Sequence, residues 1–199
     1  MQGNLPNLFE CNLAVIGLGY VGLPLAVEIS KVKYCFRTGK KLSRNIIGFD
    51  INNNRISQLK RNIDHTNEIS SNQLSETDIS FTSKKEELED VEVFIITVPT
   101  PIDKSNMPNL DYIISATTIV ANALKNRSKK NTISRPIIIY ESTVYPGATE
   151  ELCINKLEQI SGLVLDDGFS CGYSPERINP GDKNKRIGDI IKVTSGSNN

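Results

Sequence analysis

The chain has 199 residues, of which 23 are basic and 23 acidic, so its formal net charge is zero. This balance argues against a nucleic-acid-binding protein, because such proteins usually carry a basic excess. Hydrophobic residues make up 38% and charged residues 23%, which indicates a globular protein rather than a disordered chain. The longest apolar run, 93–98, is too short to cross a bilayer, and we expect no membrane association.

Strand-like apolar runs alternate with helical patterns along the chain. The predicted strands are 12–16, 46–49, 79–82, 91–98, 136–140, 169–173 and 190–193. The predicted helices are 20–31, 54–61, 84–92, 110–124 and 148–160, with Asn109 as a helix N-cap and 64–76 mostly loop. This alternation predicts an α/β fold, a doubly wound, mostly parallel sheet of the Rossmann type. We expect an N-terminal tail at 1–10 and a single domain at 11–199.

A basic stretch, 31–44, separates the first predicted helix from the second strand. It holds six basic residues and no acidic residue. A solvated insertion is favoured over a binding patch, because a run of like charge is most often a solvent-exposed face.

The four cysteines are scattered, without C-x-x-C pairs or the spacing of metal ligands. Residues 1–10 contain neither the basic nor the apolar segment of a signal peptide. We therefore expect a cytoplasmic protein with reduced thiols. The single histidine, His65, argues against a His-based catalytic triad or a zinc cluster.

The string GLGYVG at 17–22 follows the first predicted strand and opens a helix. In that context G-x-G-x-x-G predicts a dinucleotide site. Gly17 would allow the tight turn, Gly19 the approach of a diphosphate, and Gly22 close packing of helix on strand. The amides of the helix start would favour phosphate charge. The alternative is a glycine-rich turn without a ligand.

Asp50 ends the second predicted strand. A carboxylate there can accept hydrogen bonds from both ribose hydroxyls and would repel a 2′-phosphate, which favours NAD over NADP. The gap from Gly22 exceeds the usual spacing of about 20 residues, and the basic stretch accounts for the excess. The alternative for Asp50 is a helix-capping role. Arg55 could reach the adenosine side or be a solvated helix residue.

Three further loops follow predicted strands, where ligands of doubly wound sheets bind. The first holds Thr100 between two prolines, the second spans 141–147, and the third spans 173–181. Each alone would more often be a capped or strand-terminating turn. Their convergence on one sheet edge favours a common site.

The strings GLGYVGLPLA, GFDIN, ITVPTP, YESTVYPGATEE and YSPERINPGDK occur in this order between residues 12 and 195. In them the chain resembles the NAD-binding domain of the UDP-glucose/GDP-mannose dehydrogenase family. The last two strings are most similar to the branch that acts on UDP-N-acetylhexosamines in capsular polysaccharide biosynthesis, the UDP-N-acetylglucosamine and UDP-N-acetylgalactosamine 6-dehydrogenases. In the UDP-glucose branch a second Glu stands where this chain has Pro180.

The resemblance implies oxidation of the C6 alcohol of a nucleotide sugar to a carboxylate, with two NAD reduced. In the family a cysteine captures the aldehyde, and the resulting thioester is hydrolysed. Glu176 then matches the general acid/base of hydrolysis, and Thr143 helps to position a water. Arg177 and Ile178 match positions that contact the UDP-sugar. The family's NAD-binding positions match Tyr20, Val21, Asp50, Arg55, Thr100 and Thr143.

The family's catalytic cysteine, with its supporting Lys and Asn, lies downstream of the matching region, and Cys171 has the pattern of a core residue. We therefore expect a fragment of a longer enzyme, without the central helix and the UDP-binding domain, that is inactive alone. The full-length enzyme is expected to be a homodimer. The alternatives are a stand-alone NAD- or nucleotide-binding module without catalysis, and a methyltransferase on the same type of sheet.

Overall fold

The computed structural model describes residues 4–102, 107–129, 134–175 and 192–198. The strands in these ranges are β1 (Asn12–Ile16), β2 (Asn45–Phe49), β3 (Ile79–Thr82), β4 (Val93–Ile96), β5 (Ile137–Tyr140), β6 (Ser170–Tyr173) and β7 (Ser195–Gly196). They form one sheet in the order β3-β2-β1-β4-β5-β6-β7. All neighbours pair in parallel except β6 and β7. The doubly wound, mostly parallel sheet is thus confirmed.

Helices cover both faces of this sheet. They are α1 (Gly22–Lys31), α2 (Asn53–Leu59), α3 (Ser71–Ser75), α4 (Asp111–Ser128) and α5 (Asn155–Ser161). A 3₁₀ turn, Lys85–Leu88, precedes β4, and a π-helical turn, Thr149–Ile154, leads into α5. No helix among the described residues combines the length and apolarity needed to cross a bilayer.

The strands are apolar on both faces because both faces are buried. On one face Phe94 and Ile138 join a core that includes Leu124 of α4 and Leu157 of α5. On the other face lies a second core built around α1 and α2; its members include Val15, Leu23, Val27, Ile46, Ile56 and Leu59. This two-sided burial explains why the strands read as continuous hydrophobic runs rather than as alternating patterns.

The strand order reverses at β1, which has β2 on one side and β4 on the other. The chain leaves β1 for α1 on one face, whereas β4 is followed by α4 on the opposite face. A crevice opens where the two connections diverge, beyond the carboxyl ends of the strands. The fold therefore creates a ligand site at this point before any specific side chain is considered.

Several predicted boundaries were wrong. Within 64–76, α3 forms because the Ser70 hydroxyl and the Gln73 side chain form a reciprocal capping box. Asn109 is not the N-cap of α4; Leu110 holds that position, although Asn109 Oδ1 accepts from the Asp111 amide. The last strand is β7 rather than 190–193, of which 190 and 191 lie outside the described residues.

Candidate functional site

The glycine turn between β1 and α1 has little free space. The Gly17 amide donates to the Phe49 carbonyl at 2.8 Å, and Gly17 has φ +93°, which side chains rarely adopt. A Cβ on Gly22 would lie 1.9 Å from the Gly17 oxygen and 2.3 Å from Thr97 Oγ1. The predicted roles of Gly17 in the turn and of Gly22 in close packing are confirmed.

Gly19 differs from its two neighbouring glycines. A Cβ at this position would meet no atom within 4 Å, because it would point into the open crevice. The amino end of α1 begins three residues later, at Gly22, so the positive end of its dipole lies beside this open space. The surroundings of Gly19 suit an approaching diphosphate.

Asp50 links the end of β2 to the glycine turn. Its Oδ2 accepts from the Leu18 amide and its Oδ1 from the Asn52 amide, both at 2.9 Å. Each carboxylate oxygen keeps a second lone pair, so two acceptor positions remain for ribose hydroxyls. The helix-capping alternative is wrong, because Asn52 caps α2 by accepting from the Asn54 and Arg55 amides.

The crevice beside Asp50 contains a cavity of about 230 Å³ between the strand ends and α4. Val98, Tyr112 and Ile119 provide apolar walls that suit a flat aromatic base. A smaller adjoining cavity of about 70 Å³ continues past Gly19 to Glu141 and Ser142. Four residues line both cavities: Gly19, Thr97, Val98 and Pro99. Together the cavities form a trough along the glycine turn, as an extended dinucleotide requires.

Arg55 lies beneath the glycine turn. Its side chain is 3% exposed, its Nε donates to the Leu18 carbonyl at 2.9 Å, and its Nη1 pairs with Asp64 at 2.7 Å. The Leu18 amide therefore binds Asp50, and the Leu18 carbonyl binds Arg55. The solvated alternative for Arg55 is wrong, and contact with NAD stays a prediction.

Asp64 accepts the hydrogen bond from Arg55 and has no exposed side-chain surface. Burial alone would raise its pKa. Hydrogen bonds from the Thr66 hydroxyl, the Ile69 amide and Arg55 outweigh burial and hold the pKa of Asp64 below its ordinary value. The folded structure therefore requires the carboxylate to be charged.

The loops after β4 and β5 are tied together beside the trough. Thr100 Oγ1 donates to the Thr143 carbonyl at 2.5 Å, and Ser142 Oγ donates to the Val98 carbonyl at 2.6 Å. The Thr143 side chain is exposed and follows Ser142, which lines the smaller cavity. Thr97 Oγ1 donates to the Gly17 carbonyl at 2.8 Å and joins the β4 loop to the glycine turn.

A partly buried ion pair lies at the far end of the trough. Lys192 Nζ contacts Glu141 Oε2, and Glu141 is 5% exposed. Burial lowers the pKa of Lys192 below its ordinary value. The pair connects the end of β5 to the segment before β7 and puts a carboxylate into the wall of the smaller cavity.

The remaining predicted site residues have different outcomes. Tyr20 is exposed at the crevice edge, whereas the Val21 side chain is buried and lines only the smaller cavity. Glu176, Arg177 and Ile178 lie outside the described residues.

The described residues contain no cluster of potential metal ligands, and all four cysteines are free thiols. Burial raises the pKa of Cys171 to about 12, which agrees with its predicted role in the core.

Sequence reasoning missed three features of the site. Thr97 offered one signal, a polar residue at the end of an otherwise apolar strand. Tyr112 and Ser115 of α4 line the larger cavity, and their exposure on an amphipathic helix gave no indication that they face a ligand. The pairing of Lys192 with Glu141 joins residues far apart in sequence, so no local pattern could reveal it.

Residues 11–199 match the family model of the UDP-glucose/GDP-mannose dehydrogenase family, NAD-binding domain. The chain belongs to this family. NAD is accordingly the cofactor of the domain, and the open space at Gly19 and the spare acceptors of Asp50 fit it.

Curated relatives in this family cover nearly the whole chain. It is 49% identical to a UDP-N-acetyl-D-glucosamine 6-dehydrogenase from Pseudomonas aeruginosa, over 94% of this chain and 40% of the relative. The chain is also 49% identical to Protein CapL from Staphylococcus aureus, over 93% of this chain and 39% of CapL. A UDP-N-acetyl-D-glucosamine 6-dehydrogenase from Salmonella typhi is 46% identical, over 94% and 40%. The chain thus spans about 40% of the length of these relatives.

Solved structures show the same architecture. A UDP-D-ManNAc dehydrogenase from Pyrococcus horikoshii superimposes with a TM-score of 0.72 at 28% identity, covering 93% of this chain and 41% of that one. A UDP-glucose dehydrogenase from Pyrobaculum islandicum has a TM-score of 0.77 at 23% identity, covering 98% and 43%, and this likeness supports the fold alone.

The different surroundings of Gly19 and Gly22 predict opposite effects of alanine. Gly22→Ala should lower the free energy of unfolding by about 3 kcal/mol, because the methyl group overlaps backbone. Gly19→Ala should leave that free energy within about 0.5 kcal/mol of wild type. It should weaken NADH binding at least about tenfold, because the methyl group occupies the diphosphate approach. Urea unfolding and calorimetric NADH titration measure both effects; full affinity in Gly19→Ala would contradict the assignment.

Asp64→Asn should remove about 3–5 kcal/mol of stability at pH 7, because it leaves the buried Arg55 charge without a charged partner. The depressed pKa of Asp64 means that its contribution is complete above the unfolded-state pKa of about 3.9 and is lost as pH falls through the folded-state pKa. Urea unfolding should show a constant difference between the wild type and the variant from pH 7 to about pH 4, and a shrinking difference only at lower pH, where the folded protein takes up the proton.

The matched control is Asp78→Asn, because Asp78 forms an exposed pair with Lys33 and such pairs contribute little. A difference between the wild type and Asp64→Asn that stays unchanged from about pH 4 down to about pH 2 would refute the assignment.

Proposed function

We propose that this chain forms the cofactor-binding part of a UDP-N-acetylhexosamine 6-dehydrogenase. The reaction converts the C6 alcohol of the sugar to a carboxylate and reduces two NAD. Support comes from the relatives at 46–49% identity that are named UDP-N-acetyl-D-glucosamine 6-dehydrogenases. Absence of the second Glu at Pro180 also favours the N-acetylhexosamine branch.

One observation carries the cofactor part of this proposal: Asp50 is hydrogen-bonded directly to the glycine turn through the Leu18 amide. A dinucleotide lying along the trough would therefore meet the amino end of α1 and the Asp50 carboxylate together. Asp50 accepts from the ribose hydroxyls, and its charge repels a 2′-phosphate. NAD, when bound, supplies the hydride acceptor for oxidation of the sugar.

Within this proposal the chemical step belongs to Glu176 and Thr143, as the resemblance to the family implies. Glu176 would act as general acid/base in hydrolysis of the thioester, and Thr143 would position the attacking water. Arg177 and Ile178 would contact the UDP-sugar. The support for Thr143 is its exposed position beside the cavity that Glu141 and Ser142 line. We also propose a cytoplasmic location, which the four free thiols favour, and a homodimer for the full-length enzyme.

Asp50→Asn tests the assignment of the ribose site. One amide oxygen can still accept from the Leu18 amide, but the NH₂ group cannot accept from a hydroxyl. We expect NADH affinity to fall about tenfold to hundredfold, as for a lost hydrogen bond to a charged group. The preference for NADH over NADPH should also narrow, since the repelling charge is gone. Calorimetric titration with both nucleotides measures this, with Asp78→Asn as the control.

The wild-type titration is decisive for the proposal as a whole. No saturable NADH binding at millimolar concentration would overturn it, and so would a thermal shift with S-adenosylmethionine but none with NADH.

Turnover by the 199-residue chain is a separate expectation. The nucleophilic cysteine of the family belongs to the downstream region, and Cys153 and Cys171 are buried with raised pKa values. Incubation with UDP-N-acetylglucosamine and NAD should therefore produce no absorbance increase at the NADH band. Steady NADH formation by the purified chain would contradict this expectation, and heat-inactivated protein provides the blank.

A further inference from the structure

A basic hairpin, residues 33–42, projects between α1 and β2. The Cys35 amide donates to the Lys40 carbonyl and the Leu42 amide donates to the Lys33 carbonyl, both at 2.8 Å. The turn is 36–38, followed by Gly39 at φ +67°. The stretch that sequence analysis assigned to a solvated insertion is therefore an ordered hairpin with a defined tip.

The base of the hairpin is anchored to the protein. The Leu42 side chain is buried, and the Ser43 amide donates to the Phe9 carbonyl at 2.7 Å. Arg44 Nε donates to the Leu8 carbonyl at 2.8 Å. These contacts fix the base of the hairpin to the rest of the protein. The tip therefore projects from an anchored base.

The tip exposes aromatic side chains. Phe36 is 103% exposed, which means that it touches nothing in the chain, and Tyr34 is 63% exposed. Val32, at the foot of the hairpin, is 51% exposed. Two exposed aromatic rings on one short hairpin are unusual for a surface that meets only water, because each exposes a large apolar area.

The charge around these rings is positive. Lys31 and Lys33 pair with Glu28 and Asp78 at the foot of the hairpin. Nearer the tip the basic residues are Arg37, Lys40 and Lys41, and none of them has an acidic partner among the described residues; Lys40 lies 5.4 Å from the Phe9 ring centroid. The aromatic tip is thus surrounded by uncompensated positive charge in a chain whose net charge is zero.

The hairpin and the trough lie at opposite edges of the sheet. The hairpin leaves α1 at its carboxyl end and enters β2 at its amino end, whereas the trough lies beyond the carboxyl ends of the strands. A partner bound at the tip would leave the cofactor site open.

We propose that the basic hairpin docks the protein on an anionic lipid bilayer. Phe36 and Tyr34 enter the interfacial layer, where aromatic rings are favoured. Arg37, Lys40 and Lys41 meet the anionic headgroups, whose negative surface potential attracts basic residues. This proposal does not depend on the proposed enzymatic function. It replaces the expectation of no membrane association, which rested on the lack of a bilayer-crossing apolar run and did not consider a surface hairpin.

The shape of the tip favours a bilayer over other anionic partners. An acidic protein surface is the alternative partner, and it would have to bury about 800 Å² on this side to form a stable interface. Nucleic acid would contact few phosphates through three basic residues, and the rest of the chain contributes no basic excess. A bilayer accepts single protruding side chains, because each inserts independently.

Vesicle binding tests the proposal directly. The chain contains no tryptophan, so Phe36→Trp provides a single fluorescent reporter at the tip. Vesicles of phosphatidylcholine with phosphatidylserine should shift its emission to the blue, and pure phosphatidylcholine vesicles should not. Tyr145→Trp, at an exposed position in the loop after β5, should show no shift with either vesicle.

Co-sedimentation gives the energetic test. The triple variant Arg37→Gln, Lys40→Gln, Lys41→Gln should lose roughly hundredfold in partitioning at low salt, and Phe36→Ser about tenfold. The matched control, Lys84→Gln, Lys85→Gln, Lys125→Gln, removes equal charge from other exposed positions and should lose far less. Circular dichroism and NADH titration should be unchanged in every variant, which confirms folding.

Three results would overturn the proposal. The first is absence of binding to anionic vesicles at 0.1 M salt, and the second is equal loss in both triple variants. The third is tighter binding of poly-glutamate or single-stranded RNA than of anionic vesicles, which would identify a protein or nucleic-acid partner instead.

Discussion

Close approach of α1 to β1 at Gly22 is the constraint on which the crevice depends. The Gly22 Cα lies against the Gly17 carbonyl and the Thr97 hydroxyl, with no room for a methyl group. This packing directs the amino end of α1 toward the divergence between β2 and β4. The crevice is therefore bordered by the positive end of the α1 dipole, by the open space at Gly19 and by the Asp50 carboxylate. Without that contact the same residues would lie near one another but would not define a dinucleotide trough.

A second layer of polar contacts holds this arrangement in place. Asp50 accepts from the Leu18 amide while Arg55 donates to the Leu18 carbonyl, and Asp64 neutralises Arg55 in a buried position. A buried ion pair is costly unless its hydrogen bonds are satisfied. Here Asp64 also accepts from backbone amides of the following loop, so the pair fixes two segments at once. The trough is thus supported from beneath by buried polar contacts as well as bounded by the residues that line it.

The protein separates its two proposed contacts with other molecules. Cofactor binding uses the carboxyl edge of the sheet, where the strand order reverses at β1. The basic hairpin uses the amino edge, where the extra residues before β2 do not disturb the trough. The added segment changes the surface of the domain and leaves the sheet register unchanged, because Leu42 anchors its base and β2 still pairs with β1 from Asn45. This arrangement explains how the longer spacing from Gly22 to Asp50 is compatible with the family fold.

Local pattern determined β1 to β6, α1 and the glycine turn, because apolar periodicity and glycine positions act over a few residues. It misplaced the last strand, β7. The same signals identified Asp50 at a strand end. Only the tertiary structure decided three features: the burial of Arg55, the hydrogen bonds of Asp50 and Arg55 to the backbone of Leu18, and the Glu141–Lys192 pair. Each joins residues that are distant in sequence, and its energy depends on burial that only the packed fold creates. The hairpin shows the same division, since its basic composition was visible in the sequence and the full exposure of Phe36 was not.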